Sequence, residues 1–256
     1  MIVENKRKAY ESDLTDSQWE IIEPLMWKSG NKSKWEKREL INAVLYLVDS
    51  GCKWRQLPHD FPPHTTVSNF YYKAVREGLW EKILKVTVIK TREEAGRSPE
   101  PSYALIDSQS VKTVYSSDER GYDGGKTKGR KRHIVTDIMG NLLAVHVHAA
   151  NIHDTKGGVY TFEKALYRYP SIEAGCADEG YRGTFINTFE IFHNIRIDIS
   201  KQIKPVFEVL PKRWRVERTF SWFGHSRRLS KDYEIRTVYA ENMIIISHFH
   251  TLLKRF

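Results

Sequence analysis

The sequence predicts a two-part chain of the α+β or α/β class, with a helical module over residues 1–98 and a mixed β-sheet flanked by helices over residues 99–256. Three observations predict it. Apolar residues recur at helical intervals through the first hundred residues. The stretch EAGRSPEPS, residues 94–102, then interrupts the pattern with Gly, Pro and Ser. Beyond it the apolar period falls to two, β-branched residues gather, and short strand-like runs alternate with helical ones, the pattern of a sheet with helices packed on it.

The elements follow in order. In LTDSQWEIIEPL, Thr15 and Gln18 have capping-box spacing and Trp19, Ile22 and Leu25 follow at helical intervals, so a helix is expected from about 15 to 26. WEKRELINAVLYLVDSG sets Leu40, Val44, Leu47 and Val48 on one stripe, with Gly51 as its C-cap. CKWRQLPHDFPPH reads as a Pro-rich turn, and TTVSNFYYKAVREGLWEKILKVTVIKTREEAG as two helices separated near Gly78. Short helices with compact turns suit a helix-turn-helix module, and equally a small bundle that touches no nucleic acid.

In the second part, YALID is a strand ending at Asp107, and RHIVTDIMGNLLAVHVHAAN a hairpin turning at Gly140–Asn141. A helix is expected from Asp154 to about Tyr169, a short strand in IEAGCADEG, a helix capped by Thr184 in TFINTFEIFH, and a strand in IRIDIS. RWRVERTFSWFGHSRRL and AENMIIISHFHTLLKRF read as closing helices. No internal repeat or low-complexity segment interrupts them.

Forty-one Lys plus Arg against 32 Asp plus Glu give a formal charge of +9, which points to a polyanion as partner, although a moderately basic enzyme has the same balance. Cys52 and Cys176 are the only cysteines and form no zinc-type spacing, so a reducing cytosol is the expected setting. The opening MIVENKRKAYESDLTDSQW has no apolar signal-peptide core, and no apolar run approaches the roughly 18 residues of a membrane helix.

Three acids draw attention. Asp107 and Asp178 stand at the expected ends of two strands, where chemistry gathers in α/β sheets. Glu217 lies on an expected helix beside Val216, Phe220 and Phe223 and is therefore expected to be half-buried. Converging buried carboxylates repel unless a cation resolves them, and oxygen-only ligands suit Mg²⁺ or Mn²⁺. Two such ions, roughly 4 Å apart, would serve phosphodiester displacement. Singly, each acid has an ordinary use: a turn former, a loop residue, and an i, i+4 partner for Arg213.

YALIDSQSVKT, GYDGGKTKGRKRHIVTDIMGNLLAVHVHAANIHD, ADEGYRG and RWRVERTFSWFGHSRRLSKDYE, in that order, closely resemble the DDE-type transposases of insertion sequences, the insertion sequence 5 group in particular. LTDSQWEIIEPL and GCKWRQLPHDFPPHTTVSNFY resemble the N-terminal helical domain of that group, so the resemblance runs from about Leu14 to Tyr233. It implies an RNase H-like catalytic domain in which Asp107, Asp178 and Glu217 hold two Mg²⁺ or Mn²⁺ ions. Asp107 would touch both ions, while Asp178 and Glu217 would each help hold one.

The implied reaction is cleavage of DNA at the element's ends by water, then joining of the freed 3′-hydroxyls to target DNA. The implied partners are double-stranded DNA, both terminal inverted repeats and target, and a second copy in a homodimer. The implied location is the bacterial or archaeal cytoplasm, at the nucleoid. An idle transposase-derived DNA-binding protein and a nuclease that cuts without joining are the alternatives. Leu210 and Gly224 occupy places where the group commonly has Tyr and Lys, and His64 one where Trp is more usual. The role of the missing Lys then falls to Arg227 or Arg228, the latter expected three helical turns beyond Glu217 on its face.

KTKGRKR holds five cations in seven residues, Lys126, Lys128, Arg130, Lys131 and Arg132. Beside GYDGG it is expected on a loop leading into the second strand, where it would contact phosphates without reading sequence. Lys212, Arg213, Arg215, Arg218, Arg227, Arg228 and Lys231 surround Glu217, with Trp214 and Trp222 among them. Trp222 is expected to point away from Glu217, into core packing more readily than onto an unpaired base. Asp154 reads as a helix N-cap rather than a fourth acid, and Glu179 as facing away from Asp178. His133 and His153 are weak candidates for proton transfer.

Overall fold

A computed structural model describes residues 7–27, 34–114, 117–124, 127–200 and 213–256, with only the backbone described at Thr127 and Arg213. The helical part comprises α1 (Asp16–Ile22), α2 (Lys37–Ser50), α3 (His64–Arg76) and α4 (Leu79–Glu94). The capping box is present: the Thr15 side chain accepts from the Gln18 N–H, and the Gln18 side chain accepts from the Thr15 N–H. Pro24 cannot donate to the carbonyl four residues back, and α1 passes into a 3₁₀ turn over Glu23–Leu25. Gly51 closes α2 in the left-handed region, and Gly78 separates α3 from α4.

The sheet comprises β1 (Tyr103–Lys112), β2 (Gly121–Asp123), β3 (Thr127–Asp137), β4 (Leu142–Ala149), β5 (Ala174–Ala177) and β6 (Arg196–Ile199). Its order is β4-β3-β1-β5-β6, with β2 pairing β3 on the edge it shares with β4. β4, β3 and β1 are antiparallel, whereas β1, β5 and β6 are parallel. This is the mixed sheet expected, with the three-residue β2 added. The Lys126–Arg132 run is corrected in part: from Thr127 onward it is strand β3, and only Lys126 falls outside the described residues.

Helices α5 (Asp154–Arg168), α6 (Thr184–Asn187), α7 (Arg213–Phe223) and α8 (Thr237–Leu253) flank the sheet. Thr184 is not a cap: Gly183 holds that position and α6 runs into a π-helical turn over Thr188–Phe192. α7 ends at Phe223, so Arg227 and Arg228 lie on a separate 3₁₀ turn. One hydrophobic core runs through both parts. Trp80 of α4 stacks on Phe249 of α8 with centroids 6.0 Å apart, and buried Arg92 of α4 pairs with buried Asp137 at 2.6 Å in the β3–β4 turn. Among the described residues no helix is long and apolar enough to cross a membrane.

Candidate active site

Successive residues of a strand point to opposite faces, so register decides which side chains can meet. β1 does not end at Asp107; it continues to Lys112, and it is the neighbouring β5 that stops, at Ala177. Leu105 pairs with Cys176 in parallel register. Two residues further on, Asp107 and Asp178 therefore come side by side on one face, the face covered by α7. They line a single small pocket with Leu105, Cys176, Ser200 and Val216. Each carboxylate is oriented by the backbone: Asp107 Oδ1 accepts from the Ser108 N–H at 2.7 Å, and Asp178 Oδ1 from the Gly180 N–H at 2.9 Å.

α7 is held over β1 by the hairpin turn. Thr219 Oγ1 donates to the Gly140 carbonyl at 2.8 Å, Arg218 to Met139 at 2.7 Å, and Arg215 to Ile138. Val216 and Phe223 take the buried stripe, and the 100° step of the helix turns Glu217 outward. Glu217 is exposed, not half-buried as expected, and lines a neighbouring open depression with Ser108, Gln109, Phe220 and Ser221.

The donor set tests the metal expectation. Asp107 and Asp178 suit a hard divalent cation in kind and placement, two carboxylates lining one pocket. Glu217 is not gathered with them, and among the described residues no group of three or more His, Cys, Asp or Glu side chains is assembled to hold a metal ion.

Asp154 is not the cap of α5. His153 is, its Nδ1 accepting from the Thr155 N–H, which leaves Asp154 in the first helical turn with its carboxylate turned to the sheet. There it accepts from Ser108 Oγ at 3.0 Å and pairs with Lys131 Nζ at 2.9 Å. Buried Tyr181 lies between these acids. Burial first, then Asp107, Asp154 and Asp178, push its phenol well above the usual tyrosine range. Tyr181 also shares a 3.0 Å hydrogen bond with His133 Nδ1, and burial holds that imidazole well below its ordinary value. Sequence spacing does not mark Ser108 or Tyr181 and reads Asp154 as a cap, because only the fold brings the three together. Glu179 faces Arg182 at 3.3 Å, away from Asp178's pocket.

Packing rather than strand alternation divides the basic run, since Lys128 shares the parity of Arg130 and Arg132 yet stays exposed, while Lys131, of the other parity, is buried. Arg130 and Arg132 point inward, which corrects their expected role as phosphate contacts. Arg130 is fully buried, paired with Asp232 at 3.0 Å and donating to the carbonyls of Asp118, Glu234 and Ile235. Arg132 donates to Leu229 and Lys231, and burial pulls it down to about 10. Lys131 is also nearly buried, held by Asp154 and Asp123. Lys128 alone of the described run stays exposed, over the Tyr122 ring.

Around α7 the outcome is again mixed. Arg228 is buried against Glu234 and the Cys52 carbonyl, so it cannot take the place of the missing Lys. Arg227 and Lys231 are exposed. Arg218 is held between Trp214 and Trp222, 4.7 Å from each ring centre, and Arg255 lies over Trp222 at 5.2 Å. Lys126 lies outside the described residues, and so does the side chain of Arg213.

Comparison with known proteins follows this geometry. Residues 14–84 match a family model, DUF4096, described for transposases of the IS4/5 family, and residues 98–252 match the model of the transposase DDE domain. An uncharacterized protein y4sN of Sinorhizobium fredii is 27% identical over 118 residues, 44% of this chain and 87% of its own length. An uncharacterized 16.2 kDa protein of insertion element IS402 from Burkholderia cepacia is 24% identical over 119 residues, 42% of this chain and 78% of its own. Among solved structures, the Mos1 strand transfer complex aligns at 10% identity with a TM-score of 0.27, covering 90% of this chain and 80% of that one. The Mos1 paired-end complex aligns at 12% with a TM-score of 0.26, covering 90% and 79%.

Proposed function

The chain belongs to the transposase DDE domain family, and from that premise we propose that it cuts DNA at the ends of an insertion sequence and joins the freed 3′-hydroxyls to target DNA. The observation that carries this reading is the pocket between β1 and β5, where register sets Asp107 and Asp178 on one face beneath α7. Asp107 and Asp178 would hold Mg²⁺ or Mn²⁺ there, with Glu217 joining from α7; a pair of such ions, once bound, lowers the pKa of water and steadies both the attacking and the leaving oxygen.

The chain's own residues have other tasks. The Ser108 and Gly180 N–H groups keep one oxygen of each aspartate fixed, so that the carboxylates are oriented before DNA arrives. Exposed Lys128, Arg227 and Lys231, with half-buried Arg218 on α7, would offer cations to phosphate. In the helical part, α3 exposes Thr65, Asn69, Lys73 and Arg76 on one side, a polar face suited to a DNA groove. In the cutting step, water oxygen bonds to phosphorus and the 3′-oxygen leaves as a hydroxyl; in joining, that hydroxyl attacks a target phosphodiester and displaces its 3′-oxygen. Two ends must be held together for joining, which makes a homodimer the working form.

The test incubates the full chain with linear duplex carrying the sequences that flank its own gene, plus a target plasmid, in Mg²⁺. Joined products are the expected result. Cutting without joining would assign a nuclease, and specific binding with neither step an idle DNA-binding protein.

A further inference from the structure

A network of polar side chains beside the aspartate pocket is given no task in the mechanism above. Its centre is Ser108. The same residue whose N–H orients Asp107 Oδ1 turns its hydroxyl the other way, through the alternation of β1, and donates it to Asp154 on α5. Lys131 of β3 neutralises that carboxylate from its other side, and its own side chain is only 7% exposed. Asp154 also reaches the second aspartate: a Cβ placed on Gly180 would stand 3.1 Å from Asp178 Oδ1 and 3.8 Å from Asp154 Oδ2, so both carboxylates border the same small space. Tyr181, on the turn that Asp178 caps, is buried against His133 and feels Asp107, Asp154 and Asp178 together.

Lys131 is nearly buried and Asp154 only partly exposed, and polar groups so placed are costly unless paired, which restricts the arrangements open to this pair and to Ser108. We propose that Asp154 is a positioning residue of the metal site, acting through Ser108 to set the Asp107 carboxylate for the divalent ion. The inference rests on the proposed function, since it needs Asp107 to bind a cation. Asp154 itself stays with Lys131 and Ser108 and does not touch the ion; its effect passes along the hydrogen bond to Ser108 and through the Ser108 backbone to Asp107.

The experiment measures Mn²⁺ binding to the full chain by electron paramagnetic resonance, without DNA, alongside thermal melting. The variants are Asp107→Asn, Asp154→Asn, Ser108→Ala and the Ser108→Ala/Asp154→Asn double. Loss of a group that orients a metal ligand typically weakens affinity by roughly 10–100-fold. Asp154→Asn and Ser108→Ala are each expected to weaken Mn²⁺ binding by about tenfold, Asp154→Asn with a lower melting temperature because Lys131 loses its nearer counter-ion and Ser108→Ala with little change, and the double variant to lose no more affinity than either single one.

Unchanged affinity in Asp154→Asn, or losses that add in the double variant, would overturn the inference while leaving the proposed function in place. Wild-type binding that is indifferent to Asp107→Asn would instead remove the proposed function, and this inference with it.

Discussion

Arg130 of β3 and Asp232 form an ion pair of 3.0 Å with neither side chain appreciably exposed, and Arg130 also donates to three carbonyls of the surrounding loops. The pair pins the segment after α7 to β3, where that strand meets the ends of β1 and β4. That gives one of the most basic stretches of the chain a structural rather than a DNA-facing purpose.

Removing one partner of such a pair leaves a buried charge uncompensated. Asp232→Ala is therefore expected to destabilise the chain by about 3–5 kcal/mol, read by urea denaturation. A loss below about 1 kcal/mol, the scale of an exposed pair, would contradict the interior role.

Arg218 and Arg132 are expected to separate two kinds of cation. Each phosphate contact contributes about −0.9 to the slope of log affinity against log salt on duplex DNA. Arg218→Ala should make that slope shallower by about this amount, whereas Arg132→Met should lower stability and leave the slope alone. Equal slopes for Arg218→Ala and wild type would remove Arg218 from the DNA surface.

His248 and His250 on α8 make stability fall towards acid. Burial pushes His248 down to about 3, and Nε2 accepts from the Leu142 N–H, which requires that nitrogen to be unprotonated. Burial likewise pushes His250 down to about 4. Both are neutral in the folded chain, while the unfolded chain takes up protons near pH 6.5. Their contribution is fully present above about pH 6.5 and is lost as pH falls towards about 4 and then 3. Urea midpoints should therefore drop between pH 7 and pH 4, and His250→Gln should make the drop smaller. A midpoint flat across that range would contradict the buried neutral imidazoles.

Periodicity carried most of the fold. The capping box of Thr15 and Gln18, the Gly51 cap, the Gly140–Asn141 turn and the order of strands and helices all follow from local pattern, because the groups concerned lie within a turn of one another. What escaped was set by distance in sequence. Whether Glu217 or Val216 faces the sheet depends on how α7 rests on the Ile138–Gly140 turn, some eighty residues earlier. Arg130, Arg132 and Arg228 are buried by carbonyls and acids brought from elsewhere, which charge alone cannot foretell. Asp154 has the spacing of a cap, and only the neighbouring strands show that it faces Ser108 and Lys131 instead. Of the three acids singled out, two are brought together, and the third is one helical step away.

The most direct test replaces one carboxylate with a softer ligand. Asp178→Cys should bind the flanking-sequence DNA normally, fail to cut it in Mg²⁺, and recover part of its cutting in Mn²⁺, the softer of the two ions. Cutting lost equally in both metals with DNA binding intact, or retained in full in Mg²⁺, would contradict metal ligation by Asp178 and with it the site between β1 and β5.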